Sequence, residues 1–146
     1  MNTEKKKANG HQARVLIVAG SESDLAVVEK AEKVLRDAEV AYRVEVASAH
    51  RTPERVAELA RGAEEAGYGV VIAAAGLAAA LPGVMAAHTR LPVIGLPVGA
   101  GPLRGVDALL AIAMMPPGVP VAAVGIDNGA NAAHLALRIL GEARGG

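Results

Sequence analysis

The sequence predicts an α/β fold: a five-stranded parallel sheet with helices on both faces. Short runs rich in valine, isoleucine and leucine alternate along the chain with segments whose apolar residues recur at helical spacing. Strands that alternate with helices make βαβ units, whose right-handed crossovers place helices on either side of a parallel sheet. Most of the strand runs are apolar without a break. That is the pattern of a strand covered on both faces.

The elements follow in order. Val15 to Val18 is a buried strand that ends at Gly20. Ser21 to Asp37 is a helix with Leu25, Val28, Ala31, Val34 and Leu35 on one face and Glu29, Lys30, Glu32, Lys33 and Arg36 mostly on the other. Tyr42 to Ala47 alternates charged with apolar residues and reads as a strand near an edge. Pro53 to Ala66 is a helix opened by proline, with Val56, Leu59, Ala60 and Ala63 inward. Val70 to Ala74 is a strand buried on both faces, and Pro82 to His88 a short helix. Pro92 to Leu96 is the fourth strand. Gly105 to Ala113 is a helix apolar on almost every side, so it must be covered within the domain or at a contact between subunits. The Met114-Met115-Pro116-Pro117-Gly118 break leads to a fifth strand, Val119 to Val124. Asp127 to Leu140 is the last helix, with Ala132, Leu135, Ala136 and Ile139 inward.

Length and composition bound what this fold can do. The 146 residues read as one domain, 14–146, behind a polar, disordered tail, 1–13. The tail carries Lys5, Lys6 and Lys7 but no apolar run, so it is no signal peptide. The chain has no cysteine, which excludes disulfides, thiolate metal sites and thiol catalysis. It has no tryptophan or phenylalanine, two tyrosines and a formal net charge of zero. Nucleic acid and anionic lipid are therefore not expected partners. Tyr68 to Ala87 is uncharged over about 20 residues, long enough to span a bilayer. Gly69, Gly76, Pro82 and Gly83 break it, so it reads as strand, tight loop and helix.

In an open parallel sheet, ligands bind beyond the carboxyl ends of the strands. Four loops should converge there: Gly20 to Asp24, Ser48 to Pro53, Ala75 to Gly83, and Pro97 to Gly101. Ser21 to Asp24 opens a helix, where free N–H groups and hydroxyls favour an anion, although taken alone the segment reads better as plain N-capping by Ser21 or Ser23. Asp24 would repel a phosphate and suits sugar hydroxyls. His50 can move a proton to and from carbon or oxygen, while Arg51 can fork onto phosphate or carboxylate. The small residues from Gly76 to Gly83 let backbone approach a ligand closely, or let a helix pack tightly on the sheet. Gly99-Ala100-Gly101 lacks the third glycine of a dinucleotide loop. Ser48, His50 and Asp24 could be drawn as a triad, but there is no nucleophile elbow. His11, His88 and His134 share no metal-ligand spacing and read as tail and helix surface, and no metal site is expected.

Four motifs stand in order: Gly20-Ser21-Glu22-Ser23-Asp24, Ser48-Ala49-His50-Arg51-Thr52-Pro53, Gly76-Leu77-Ala78-Ala79 followed by Leu81-Pro82-Gly83, and Met115-Pro116-Pro117-Gly118-Val119-Pro120. With them, Val15 to Leu140 resembles the class I aminoimidazole ribonucleotide carboxylase family, the N5-carboxyaminoimidazole ribonucleotide mutases of purine biosynthesis. The resemblance implies a three-layer α/β/α, flavodoxin-like fold, a cytoplasmic homo-octamer and a reaction without metal or organic cofactor. It implies that a carboxylate moves from the exocyclic nitrogen to carbon 4 of the imidazole. His50 would be the general acid and base. Arg51 and Ser21 would hold the ribose phosphate and Asp24 the ribose, with Ser48 also at the substrate. Gly76 and Leu77 would belong to a small dry pocket that retains carbon dioxide.

The chain departs from the family pattern in three places. It has Ala80 where the pattern has histidine, Met114 where glutamine is common, and Gly146 as its last residue where relatives run on. Alanine donates neither proton nor hydrogen bond, so whatever that histidine does is absent here. Two readings result: a working mutase, or a redesigned or diverged family scaffold whose role is self-assembly into an oligomer or larger particle.

Overall fold

The computed structural model describes residues 14–143. The expected tail, 1–13, with His11, lies outside them. Five parallel strands form one sheet in the order β2-β1-β3-β4-β5. They are β1 (Val15–Ala19), β2 (Tyr42–Val46), β3 (Val70–Gly76), β4 (Val93–Val98) and β5 (Ala122–Ala123). The helices between and after them are α1 (Leu25–Asp37), α2 (Pro53–Gly62), α3 (Leu81–His88), α4 (Val106–Ala113) and α5 (Gly129–Leu140).

The pleat sorts the core into two layers. Val15, Ile17 and Ala19 of β1, with Val70, Ile72 and Ala74 of β3, pack with Val28, Ala31 and Leu35 of α1 and Ala132, Ala133 and Ala136 of α5. The intervening residues Leu16, Val18, Val71 and Ala73 point the other way, onto Val56 and Ala60 of α2, Leu81 and Met85 of α3, and Ala108 and Ile112 of α4. Period-two alternation with apolar residues at every position therefore places helices on both faces, as the unbroken runs predicted. Tyr68 to Ala87 divides into β3, a loop and α3, and no helix among the described residues is long and apolar enough to cross a membrane.

Side chains shrink toward the carboxyl ends of the central strands. β3 runs from Val70, Val71 and Ile72 to Ala73, Ala74, Ala75 and Gly76, and β1 ends in Ala19 before Gly20. The alanine-rich composition thus thins the sheet at the edge where the loops meet.

Several boundaries differ from expectation. The first helix, expected from Ser21, begins at Leu25 after a 3₁₀ turn over Glu22–Asp24, and β3 and β4 each run two residues further, to Gly76 and Val98. The fifth strand, expected over Val119 to Val124, pairs only at Ala122 and Ala123, against Ile94 and Gly95. Pro116, Pro117 and Pro120 have no N–H to donate, and the strand lies at the sheet's edge. The last helix begins at Gly129 because Asp127 is in the left-handed region (φ 60°), and Asn128 caps it by accepting from the Asn131 N–H at 2.9 Å. Its buried stripe is Gly129, Ala132, Ala133, Ala136 and Leu137, so Ile139, expected inward, faces solvent. The second helix ends at Gly62, but its turns continue to a glycine closure. Tyr68 N–H donates to Ala63 and Gly67 N–H to Glu64, with Gly67 at φ 99°.

Candidate active site

The strand order places a switch between β1 and β3, whose chain neighbours leave in opposite directions. A cleft of about 520 Å³ opens there, beyond the carboxyl ends of β1, β2 and β3. Its walls include Ser21, Asp24, Ser48, His50, Arg51, Gly76 and Leu77, every residue singled out from sequence. Gly20, Ser23, Ala49, Ala75, the alanines from 78 to 80, Leu81 and Ala100 complete it. The first three predicted loops each contribute several residues, and the fourth contributes Ala100.

The first wall is a reciprocal cap. Ser21 Oγ accepts from Ser23 N–H at 3.2 Å, and Asp24 Oδ2 accepts from Ser21 N–H at 3.1 Å. The two serine hydroxyls lie 2.5 Å apart. The N-cap reading is therefore correct for Ser21, and the cap pulls the Asp24 carboxylate into the cleft floor, where it is 7% exposed. Burial pushes the Asp24 carboxyl above its ordinary value, and the Ser21 N–H opposes that shift only in part.

That shift has a consequence for stability. A carboxyl raised in the folded state binds protons there that the unfolded chain has already released. Stability therefore falls as pH climbs from the ordinary value of 3.8 through the raised one, and the deficit persists above it. Asp24→Asn keeps an oxygen to accept from Ser21 and removes the buried charge. The variant should melt above the wild type at pH 7, with the gap closing below pH 3.8. Thermal melts from pH 3 to 8 would check this, and a gap independent of pH would contradict it.

The second wall is a serine–threonine turn. Ser48 N–H donates to Thr52 Oγ1 at 2.9 Å, and Thr52 Oγ1 donates to the Ser48 carbonyl at 3.2 Å. Ser48 Oγ accepts from the backbone N–H of His50 at 3.3 Å and of Arg51 at 3.1 Å. Both lone pairs of that hydroxyl are thus engaged, and its proton remains for a ligand. Ser48 is no nucleophile of a triad. It holds the backbone that presents His50 and Arg51, whose exposed side chains have no protein partner among the described residues.

The third wall is strained backbone. Leu77 (φ 54°) and Ala79 (φ 43°) both occupy the left-handed region, which costs a side-chain-bearing residue about 1–2 kcal/mol. Ala79 N–H donates to the Gly76 carbonyl at 3.0 Å, closing the turn before α3. Ala80 caps α3 without a side-chain bond and is half-buried in the cleft wall. One residue that sequence reasoning missed lies behind the fourth loop. Asp127 Oδ1 accepts from Gly99 N–H at 2.8 Å. The sequence places Asp127 at the start of the last helix and gives no sign of this partner.

His88 ends α3 half-buried and His134 is exposed on α5. Among the described residues no group of three or more acidic or histidine side chains could hold a metal ion.

The family described as AIR carboxylase matches over residues 14–145. The chain is 60% identical over 127 residues to the N5-carboxyaminoimidazole ribonucleotide mutase of Pyrococcus abyssi, covering 87% of this chain and 73% of that protein. It is 52% identical over 128 residues to the mutase of Thermotoga maritima, covering 88% and 75%. The crystal structure of Treponema denticola PurE is similar in fold, with a TM-score of 0.78 and 30% identity, covering 89% of this chain and 81% of that one.

Proposed function

We infer the reaction from one premise: the chain belongs to the AIR carboxylase family. It converts N5-carboxyaminoimidazole ribonucleotide to 4-carboxyaminoimidazole ribonucleotide, an isomerisation in purine biosynthesis. The observation that carries the assignment of residues is one cleft that holds a histidine, a free arginine, a buried aspartate and an alanine wall.

In the proposed mechanism His50 is the catalytic acid and base. The carbamate N–C bond breaks, its electron pair returns to the exocyclic nitrogen, and protonated His50 supplies the proton. Carbon dioxide and aminoimidazole ribonucleotide result. Carbon 4 then attacks the carbon dioxide carbon. The neutral imidazole takes the carbon 4 proton, and that C–H pair restores the aromatic ring. His50 ends protonated as it began, so no co-reactant is consumed. An imidazole has one nitrogen that can give a proton and one that can take it, which suits both halves. Between them carbon dioxide must stay, and the apolar wall from Ala75 to Ala80 offers it no hydrogen bond from a side chain.

Arg51 and Ser21 hold the phosphate, with the Ser48 hydroxyl beside them, and Asp24 accepts from ribose hydroxyls. Gly76 and Leu77 lie against the imidazole. Arg51→Ala should raise KM roughly 10–100-fold, the loss of charge-assisted hydrogen bonds, while kcat changes by less than about threefold. Steady-state kinetics separate the two. The assay of the reaction itself uses purified protein and N5-carboxyaminoimidazole ribonucleotide, with product followed by absorbance. Turnover no faster than in buffer would overturn the mutase reading and leave the scaffold reading.

The protein assembles as a cytoplasmic homo-oligomer, an octamer or larger. Supporting this, Val106, Leu110 and Met114 form an uncovered apolar stripe along α4, with Met114 77% exposed, and Leu103 extends it.

A further inference from the structure

We propose that Asp127 is a positioning residue for carboxyl transfer: it fixes the loop after β4 so that Ala100 closes the cleft against Gly76. The proposal rests on the mutase reading and assigns a role to a residue outside the cleft.

Asp127 grips the end of β4 on both sides of Val98. Its N–H donates to the Pro97 carbonyl at 2.8 Å, and its Oδ1 accepts from the Gly99 N–H at 2.8 Å. Its own carbonyl accepts from Lys30 Nζ at 3.3 Å, which ties the residue to α1. The left-handed backbone at φ 60° allows this double grip, and aspartate and asparagine tolerate that conformation better than other side chains. The carboxylate lies flat on Gly99, since a Cβ there would come within 2.9 Å of Asp127 Oδ2. Gly105 closes the far end of the loop onto the same point. A Cβ on Gly105 would lie 3.0 Å from the Gly99 Cα.

The next two residues deliver this anchor to the cleft. Ala100 lines it, and the Ala100 Cβ lies 3.1 Å from where a Gly76 Cβ would stand. Gly101 makes room for Leu77, whose Cδ2 is 2.6 Å from the place of a Gly101 Cβ. The chain of contact runs from Asp127 through Gly99 and Ala100 to Gly76, and none of its links is charged inside the cleft. Asp127 touches no reacting atom. Released, the loop would open the alanine wall where carbon dioxide waits. Carbon dioxide that escapes leaves aminoimidazole ribonucleotide behind, its nitrogen already protonated by His50, and the 4-carboxylate is never made.

The test compares three proteins. Asp127→Gly keeps the left-handed backbone and loses the acceptor. Asp127→Asn keeps both. For each, substrate consumed and 4-carboxy product formed are measured together, and amide hydrogen exchange is followed at Gly99 and Ala100. Asp127→Gly should exchange the Gly99 amide about tenfold faster, as loss of one hydrogen bond predicts. Its ratio of aminoimidazole ribonucleotide to product should rise by about the same factor, with KM within about twofold. Asp127→Asn should match the wild type in both. Unchanged exchange in Asp127→Gly would overturn the anchor. Faster exchange with an unchanged product ratio would overturn the positioning role, because a merely structural residue moves stability and not partition. Failure of the wild type to turn over would overturn the mutase reading, and this role with it, while the exchange data would still report whether the anchor exists.

Discussion

His50→Asn is expected to lower kcat by about 10²–10⁴-fold and to leave KM within about threefold. Asparagine matches histidine roughly in size and polarity but does not titrate, so it can neither give the nitrogen its proton nor take the proton from carbon 4. The substitution should be structurally silent. The His50 side chain is exposed with no protein partner among the described residues, and the loop is held by backbone bonds to Ser48 Oγ and by the Ser48–Thr52 pair. Stability should therefore change by less than about 0.5 kcal/mol, as for surface substitutions generally. A variant that kept a tenth of the wild-type kcat would remove His50 from the mechanism. One that lost kcat and unfolded together would say nothing against it only if the melting temperature had fallen below the assay temperature, so melts accompany the kinetics.

Gly129→Ala should be the most damaging single methyl group in the fold. Gly129 opens α5 where it crosses α1, and a Cβ there would lie 2.3 Å from the Val27 carbonyl oxygen, 3.1 Å from Lys30 Cβ and 3.2 Å from Ala31 N. Two of those three atoms are backbone, so no rotamer change relieves the clash. The helices must separate. Overpacking of this kind costs about 1–3 kcal/mol. Gly62→Ala is the matched control, since a Cβ at Gly62 meets nothing within 4 Å. It should be neutral or raise stability by up to about 1 kcal/mol, the helix preference for alanine over glycine. Denaturant midpoints of the two variants should therefore separate, with unfolding free energies at least about 1 kcal/mol apart. Equal midpoints would mean that α1 and α5 tolerate separation.

The sheet was legible because its residues obey one simple constraint. Val15 to Val18 and Val70 to Ala74 are apolar at every position, which only a doubly covered strand explains. The cleft's four loops were legible for a geometric reason: a parallel sheet delivers every strand-to-helix loop to one rim. What escaped was set by partners distant in sequence. Val119 to Val124 has strand composition but an edge position and three nearby prolines, so only two residues pair. Ile139 fits the helical period as well as Leu137 does, and only the placement of Gly129 against Val27 decides which side faces in. Leu77 and Ala79 carry positive φ that nothing in their side chains announces. Asp127 read as the first residue of the last helix because its real partner, Gly99, is 28 positions away.

The two helical layers differ in how the chain supplies them. α2, α3 and α4 come from one continuous stretch, whereas the opposite layer joins α1 to α5, elements whose Lys30–Asp127 hydrogen bond spans 97 residues. The second layer closes only when α5 docks, and its loop-closure entropy is the larger. Lifting of α5 from α1 is a cooperative opening that this layer permits. Asp127 stands at the foot of that helix, so the same opening would release Gly99 and with it the wall of the cleft. Occupancy of the cleft and protection of α5 are therefore linked quantities: a ligand that binds only the closed form lowers the population of the open one by its own binding polynomial. The docking of the last helix and the chemistry of the cleft are joined through one carboxylate.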